Sequence, residues 1–255
     1  MKVLASFAVK GGVGKTSAAV NLAWLAARDG RRTLLWDLDP QASATFLLRG
    51  KAKVKGGARK VLLGKSEATR AIRSTGYDRL DLLPSNPGYV DAAVDLAGAG
   101  GSEQRIGRVL KSLRADFDLV VLDCPAGLSV VAANIARASD LLLVPIVPSP
   151  LSLRTLDQTV DFIAAHEATP DILIFLSMVE RRRALHRDVV GLLQGRYANV
   201  AETVIATSAV VERMGQRRCP LGASTPTSAA AAAYEALWRE VSERLRSSQP
   251  SVAAG

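Results

Sequence analysis

Near the start of a 255-residue chain, directly after a short apolar run, stands Lys10-Gly11-Gly12-Val13-Gly14-Lys15-Thr16-Ser17, followed at once by a helical pattern. Glycines at this density let the backbone curl until its N–H groups converge on phosphate oxygens, and a helix beginning there adds its positive end. Lys15 is then placed to neutralise the terminal phosphates of a nucleotide, and the Thr16 hydroxyl to ligate Mg2+. The common pattern, Gly-x-x-x-x-Gly-Lys-Ser/Thr, is not met, because its first glycine falls on Val9; a second lysine, Lys10, follows instead. Strand context, the Gly-Lys-Thr core and the extra lysine together read as a nucleotide-binding loop.

Two further apolar runs end in acid. Trp36-Asp37-Leu38-Asp39-Pro40-Gln41 and Leu119-Val120-Val121-Leu122-Asp123-Cys124-Pro125 each place carboxylates at the end of a strand. In open α/β sheets ligands sit at that carboxyl edge. An aspartate closing such a run in a phosphate-loop protein stands on the Mg2+ side of the nucleotide. Alone, an aspartate at a strand end is as often a turn or cap residue; the loop upstream decides for function.

These groups must be carried by a scaffold, and the chain alternates short strand-like runs with helical stretches throughout. The strands are expected at Lys2–Ala8, Thr33–Asp37, Leu80–Leu83, Leu119–Asp123, Leu141–Pro145, Ile172–Ser177 and Thr203–Ala206. Helices are expected at Lys15–Asp29, Gly88–Ala97, Glu103–Ala115, Ser129–Ala136, Leu151–Ala168, Ala184–Gly195 and Thr227–Arg246. Runs such as Leu119–Leu122 and Leu141–Val144 are apolar without alternation, the mark of strands covered on both faces. The expected fold is α/β, a single domain with a doubly wound, mostly parallel sheet flanked by helices, over residues 1–246. Gly98–Ser102 reads as a joint within it and 247–255 as a disordered tail.

Composition narrows the class. Apolar residues make up 48% and charged residues 22%, which excludes wholesale disorder. No apolar run reaches the roughly 18 residues that a membrane span needs. The first residues read as a strand and not a signal peptide, and two cysteines, Cys124 and Cys219, are too few for a disulfide framework. A cytoplasmic protein is expected. His166 and His186 lack neighbours that would make a metal site, and Trp24, Trp36 and Trp238 read as packing residues.

The formal charge of +9 is concentrated. Arg49 to Arg79 carries ten basic residues against Glu67 and Asp78, and Arg181 to Arg218 eight arginines against three acids. Clustering of this kind points to a polyanion, and the scarcity of aromatic residues in both segments favours phosphate contact over base stacking.

The motifs resemble those of the ParA/MinD family of P-loop ATPases. Lys10–Thr16 is similar to its deviant Walker A motif, Asp37–Gln41 to its second acidic motif and Val121–Pro125 to its Walker B motif. Leu83-Pro84-Ser85-Asn86 and Val144-Pro145-Ile146-Val147-Pro148 also resemble ParA-type sequences. The likeness begins at residue 1, as in small ParA proteins that lack an N-terminal helix-turn-helix domain. It implies ATP and Mg2+ as cofactors and an ATP-dependent homodimer in which Lys10 reaches the partner's phosphates. It further implies that Asp39 positions the attacking water, that Thr16 binds Mg2+ with Asp37 and Asp123 in support, and that Gly11 lies at the closest approach of the subunits. Non-specific DNA binding follows, with Arg181, Arg182, Arg183, Arg213, Arg217 and Arg218 as candidates. So does slow hydrolysis stimulated by a ParB-like or cargo-linked partner, on the nucleoid and not on a membrane. The rivals are a MinD-like membrane cycle, which the polar tail and the core-type last helix disfavour; an electron-transfer ATPase similar to nitrogenase iron protein, which wants cysteines at the dimer face; and a metabolic ATPase on the same fold.

Overall fold

The computed structural model describes residues 1–50, 58–63, 66–90, 104–180 and 182–247. The strands are β1 (Lys2–Ser6), β2 (Thr33–Asp37), β3 (Arg73–Tyr77), β4 (Leu80–Leu83), β5 (Leu119–Asp123), β6 (Leu141–Ile146), β7 (Asp171–Val179) and β8 (Val200–Ala206). Among the described residues they form one eight-stranded sheet in the order β3-β4-β2-β5-β1-β6-β7-β8. All neighbours are parallel except β3 with β4. The winding reverses around β1, so the loop leaving β1 opens into the crevice where such sheets bind ligands.

Continuous apolar strands are explained by two covered faces. Leu119 and Val121 of β5 belong to one buried cluster, Val120 and Leu122 to the other. Each such side chain, wholly removed from water, contributes about 1.5–3 kcal/mol. The helices are α1 (Lys15–Arg28), α2 (Ser43–Leu47), α3 (Ala58–Leu62), α4 (Arg105–Ser112), α5 (Val130–Ala138), α6 (Pro150–Ala165), α7 (Ala184–Arg196), α8 (Ala209–Glu212), α9 (Met214–Arg217), α10 (Leu221–Ser224) and α11 (Ala229–Ser247). The cluster on one face takes its helical residues mainly from α1 and α11, that on the other from α3 to α7. In α11 the side chains of Leu237, Trp238, Val241 and Leu245 are all buried in the core, so its apolar side is not a free surface. No helix among the described residues is long and apolar enough to cross a membrane.

The expected parallel sheet is present, with one strand more than the apolar runs show. β3, Arg73-Ser74-Thr75-Gly76-Tyr77, has no hydrophobic run to mark it. It pairs antiparallel with β4 across the turn at Asp78 and Arg79, with a bulge between Ser74 and Tyr77. Helix α11 runs through Ser247, one residue past the expected boundary. The expected joint at 98–102, most of the helix at 88–97 and the tail from 248 lie outside the described residues.

Candidate functional site

Three strands in register build the floor of the site. Ser6 of β1 stands opposite Asp123 of β5, and Asp37 of β2 opposite the same Asp123. The Ser6 hydroxyl donates to the Lys15 carbonyl at 2.9 Å, fastening the phosphate loop back onto its strand. The loop turns on Gly12 at φ 72° and Gly14 at φ 98°, the left-handed region that a side chain disfavours. At Gly14 a Cβ would in addition stand 2.8 Å from Ser177 Oγ. Gly14 is the N-cap of α1 and offers no side-chain acceptor, so the first N–H groups of that helix are left to an anion entering the crevice. Lys15 is buried, 7% exposed, and its ammonium donates to the Lys10 carbonyl at 3.3 Å. Lys10, by contrast, is exposed at the rim.

The carboxylates, alike in sequence, divide in structure. Asp37 is fully buried and fully used. Its Oδ2 accepts from the Thr45 N–H at 2.8 Å and the Thr45 hydroxyl at 2.7 Å, and its Oδ1 from the Asp39 N–H at 3.2 Å. Burial raises its pKa to about 6, held back by the Thr45 and Asp39 hydrogen bonds. Asp123 is also fully buried, yet neither oxygen has a hydrogen-bond partner among the described residues. Burial first, and then the charge of Asp37, raise it well above the ordinary carboxylate range, with Thr16 and Lys15 pulling the other way. Asp39 is half-buried; its Oδ1 accepts the Gln41 N–H at 2.9 Å, forming the turn into α2.

Two bare oxygens on Asp123 beside the Thr16 hydroxyl fit a divalent cation. Among the described residues no three His, Cys, Asp or Glu side chains gather into a cage. That suits Mg2+, which keeps its waters and takes its other ligands from phosphates.

Both raised pKa values carry a sign. The unfolded chain ionises first, at about pH 4, so each group costs the ligand-free protein stability as pH climbs from there towards its own raised pKa, which for Asp37 is about 6. Asp123→Asn, which cannot ionise, should therefore melt several degrees above wild type near neutral pH, with the margin closing towards about pH 4. Melting curves across that range check it; a pH-independent margin would assign the effect to shape and not to charge.

Beside the loop, at the carboxyl ends of β7 and β8, lies a cavity of 310 Å³ lined by Gly14, Ser17, Ser177, Glu180, His186 and Thr207 among others. No motif marks it, because its walls come from distant segments. His186 is buried there, its Nδ1 accepting from the Glu180 N–H at 3.0 Å, which leaves the ring proton on Nε2. Larger hollows of 440 Å³ beside Arg105 and 720 Å³ beside Leu192 lie away from the loop.

Of the candidate arginines, Arg182, Arg183, Arg213 and Arg217 are exposed, and Arg183 pairs with Glu180 at 3.3 Å. Arg218 is half-buried, its guanidinium over the Phe46 ring at 4.4 Å from the centroid. Arg181, and Lys51, Lys53, Lys55 and Lys65 of the first basic segment, lie outside the described residues. The remainder of that segment is partly neutralised, Arg70 by Glu67 at 2.8 Å and Arg79 by Asp78 at 3.6 Å.

A family model described as an AAA domain matches residues 1–173. The sporulation initiation inhibitor protein Soj of Bacillus subtilis (strain 168) is 30% identical over 248 residues, 94% of this chain and 98% of that protein. The chromosome partitioning protein ParA of Myxococcus xanthus (strain DK1622) is 30% identical over 243 residues, 92% of this chain and 86% of that protein. Among solved structures, cobyrinic acid a,c-diamide synthase from Mycobacterium smegmatis, with bound ATP analog and magnesium, matches with a TM-score of 0.83. It is 28% identical, over 98% of this chain and 97% of that one.

Proposed function

We propose, for a chain that belongs to the ParA/MinD family of P-loop ATPases, that it is a partition ATPase whose ATP-bound dimer holds DNA non-specifically and positions cargo. Two copies close face to face around Mg-ATP; a ParB-like or cargo-linked protein then stimulates slow hydrolysis and releases the dimer from the nucleoid. The observation that carries this reading is the division between two lysines on one loop. Lys15 is buried in the crevice, while Lys10 is exposed on the rim beside Gly11. A cation at the rim serves a phosphate best by reaching across to a second subunit, which makes the dimer depend on the nucleotide.

Within one subunit the geometry supports the roles that the resemblance implies. The free N–H groups of the loop and of α1 receive phosphate oxygens, and the Lys15 ammonium exchanges the Lys10 carbonyl for the terminal phosphates. Thr16 and Asp123 would hold Mg2+, while Asp37 braces the acidic loop. When bound, the ion neutralises charge on the β- and γ-oxygens. Asp39 orients the attacking water with Oδ2, which has no hydrogen bond from a described residue, and the cavity beside Ser17 takes the base and ribose.

Gly11 tests the dimer. A Cβ there meets nothing within 4 Å inside the subunit, so Gly11→Val should melt like wild type without ligand. Its effect falls on association: with Mg-ATP it should remain monomeric by light scattering where wild type dimerises. A dimer of wild-type strength would remove this loop from the contact face.

The function itself is tested by binding to random-sequence duplex DNA with Mg-ATP, ADP or no nucleotide over a salt series. Affinity should be tight only with Mg-ATP and fall steeply with salt, because each neutralised phosphate releases counterion. Arg213→Glu with Arg217→Glu should weaken binding alike on all sequences, flattening the salt slope by about 1 for each phosphate no longer met. A metabolic ATPase is the second reading, favoured by the synthase among the structural neighbours; absence of DNA binding in every nucleotide state would turn the case to it.

A further inference from the structure

Two arginines with left-handed backbone, Arg49 at φ 56° and Arg218 at φ 52°, face each other at the ends of α2 and α9. Arg49 donates from Nε to the Arg218 carbonyl at 3.3 Å and from Nη2 to the Arg217 carbonyl at 3.2 Å. Arg218 returns the contact, its Nε donating to the Phe46 carbonyl at 2.9 Å while its guanidinium lies over the Phe46 ring. Each cation thus rests on the carbonyl end of the other's helix, where partial negative charge gathers. Both stand just past a helix C-terminus, where a left-handed residue commonly ends the helix.

The opposite end of α2 is equally tied. Thr45 donates twice to Asp37, and its hydroxyl also accepts the Ser85 N–H at 3.0 Å. Ala42, entering the helix, is left-handed at φ 53°. Just beyond Arg49, the Gly50 N–H donates to the Thr45 carbonyl at 2.8 Å, and a Cβ on Gly50 would stand 2.5 Å from Leu82, so only glycine packs there. Helix α2 is therefore a short rigid piece between two left-handed residues, joined to the acidic loop at one end and to the arginine segment at the other.

We propose that α2 is a strut through which occupancy of the phosphate loop sets the position of the basic face. A change at Asp37 moves Thr45, and the reciprocal arginine pair moves α9, which carries Arg217 with Arg213 just before it. Arg49 and Arg218 are positioning residues and not phosphate contacts, whereas exposed Arg213 and Arg217 meet the polyanion. The inference rests on the nucleotide and DNA reading above, and adds to it a route of control within one subunit.

Hydrogen–deuterium exchange on the full chain, with and without Mg-ATP, reads the strut without DNA. In wild type, nucleotide should slow exchange by about 5-fold or more at both 43–50 and 214–224, the second lying beyond the Val211 and Glu212 wall of the cavity given to the base and ribose. In Arg218→Lys, which keeps the charge but not the planar fork, the first segment should still respond and the second should not. Phe46→Leu, at a side chain 50% exposed, removes only the stacked ring and should weaken the second response without threatening the fold. A response at 214–224 that persists in both variants, or is missing in wild type, overturns the strut. DNA binding recorded on the same samples separates the two readings: none in any state defeats the DNA reading, while the exchange result still judges the strut.

Discussion

Lys15→Ala should abolish tight Mg-ATP binding, with a loss of affinity of about 100-fold or more. Its side chain is buried, and among the described residues its ammonium donates to the Lys10 carbonyl, an arrangement from which it turns to an incoming phosphate without leaving the crevice. A hydrogen bond to a charged group is worth about 1.5–3 kcal/mol, so two lost together account for roughly two to four orders of magnitude. The loss also removes the positive charge that opposes the raised pKa of Asp123, so an incoming polyphosphate meets a more negative floor. Titration with a fluorescent nucleotide measures it, alongside a melting curve to show that the variant is folded. Binding within a few-fold of wild type would contradict the phosphate-loop assignment.

Asp39→Ala should keep nucleotide bound and stop its turnover, with phosphate release falling by about 100- to 10,000-fold, the range set by a positioned general base. The expected product is a dimer that persists as long as ATP is supplied, seen by light scattering. Part of any effect would be structural, because Oδ1 accepts the Gln41 N–H that shapes the turn into α2. Asp39→Asn separates the two roles, since the amide oxygen keeps that turn but cannot orient water as a carboxylate does. If the asparagine variant turns over like wild type, Asp39 is a turn residue and the catalytic role belongs elsewhere.

Much of this site could be read from sequence because its parts are contiguous. The loop from Lys10 to Ser17 is one segment, and Asp37 and Asp123 each end a run whose apolarity alone requires burial on both faces. The difference between those two carboxylates could not be read. Asp37 differs from Asp123 because Thr45, eight residues on, returns to bond it, and only the turn through Ala42 makes that approach. The cavity beside Ser17 and the meeting of Arg49 with Arg218 share this character, being assembled from segments far apart in the chain. β3 escaped for a simpler reason. A strand with one partner among the described residues, at the edge of the sheet they form, does not need a continuous apolar run, and Arg73-Ser74-Thr75-Gly76-Tyr77 has none.

That edge strand also limits how copies of the chain can assemble. β3 is short, bulged and opposite in direction to every other strand of the sheet, with Arg73 and Arg79 at its ends. A second copy approaching sideways finds a short, bulged strand and charge where strand addition would need a long, flat, apolar border. On this side, fibrils grown by extending the sheet are thereby disfavoured, and polymerisation on a DNA track would have to stack subunits through other faces.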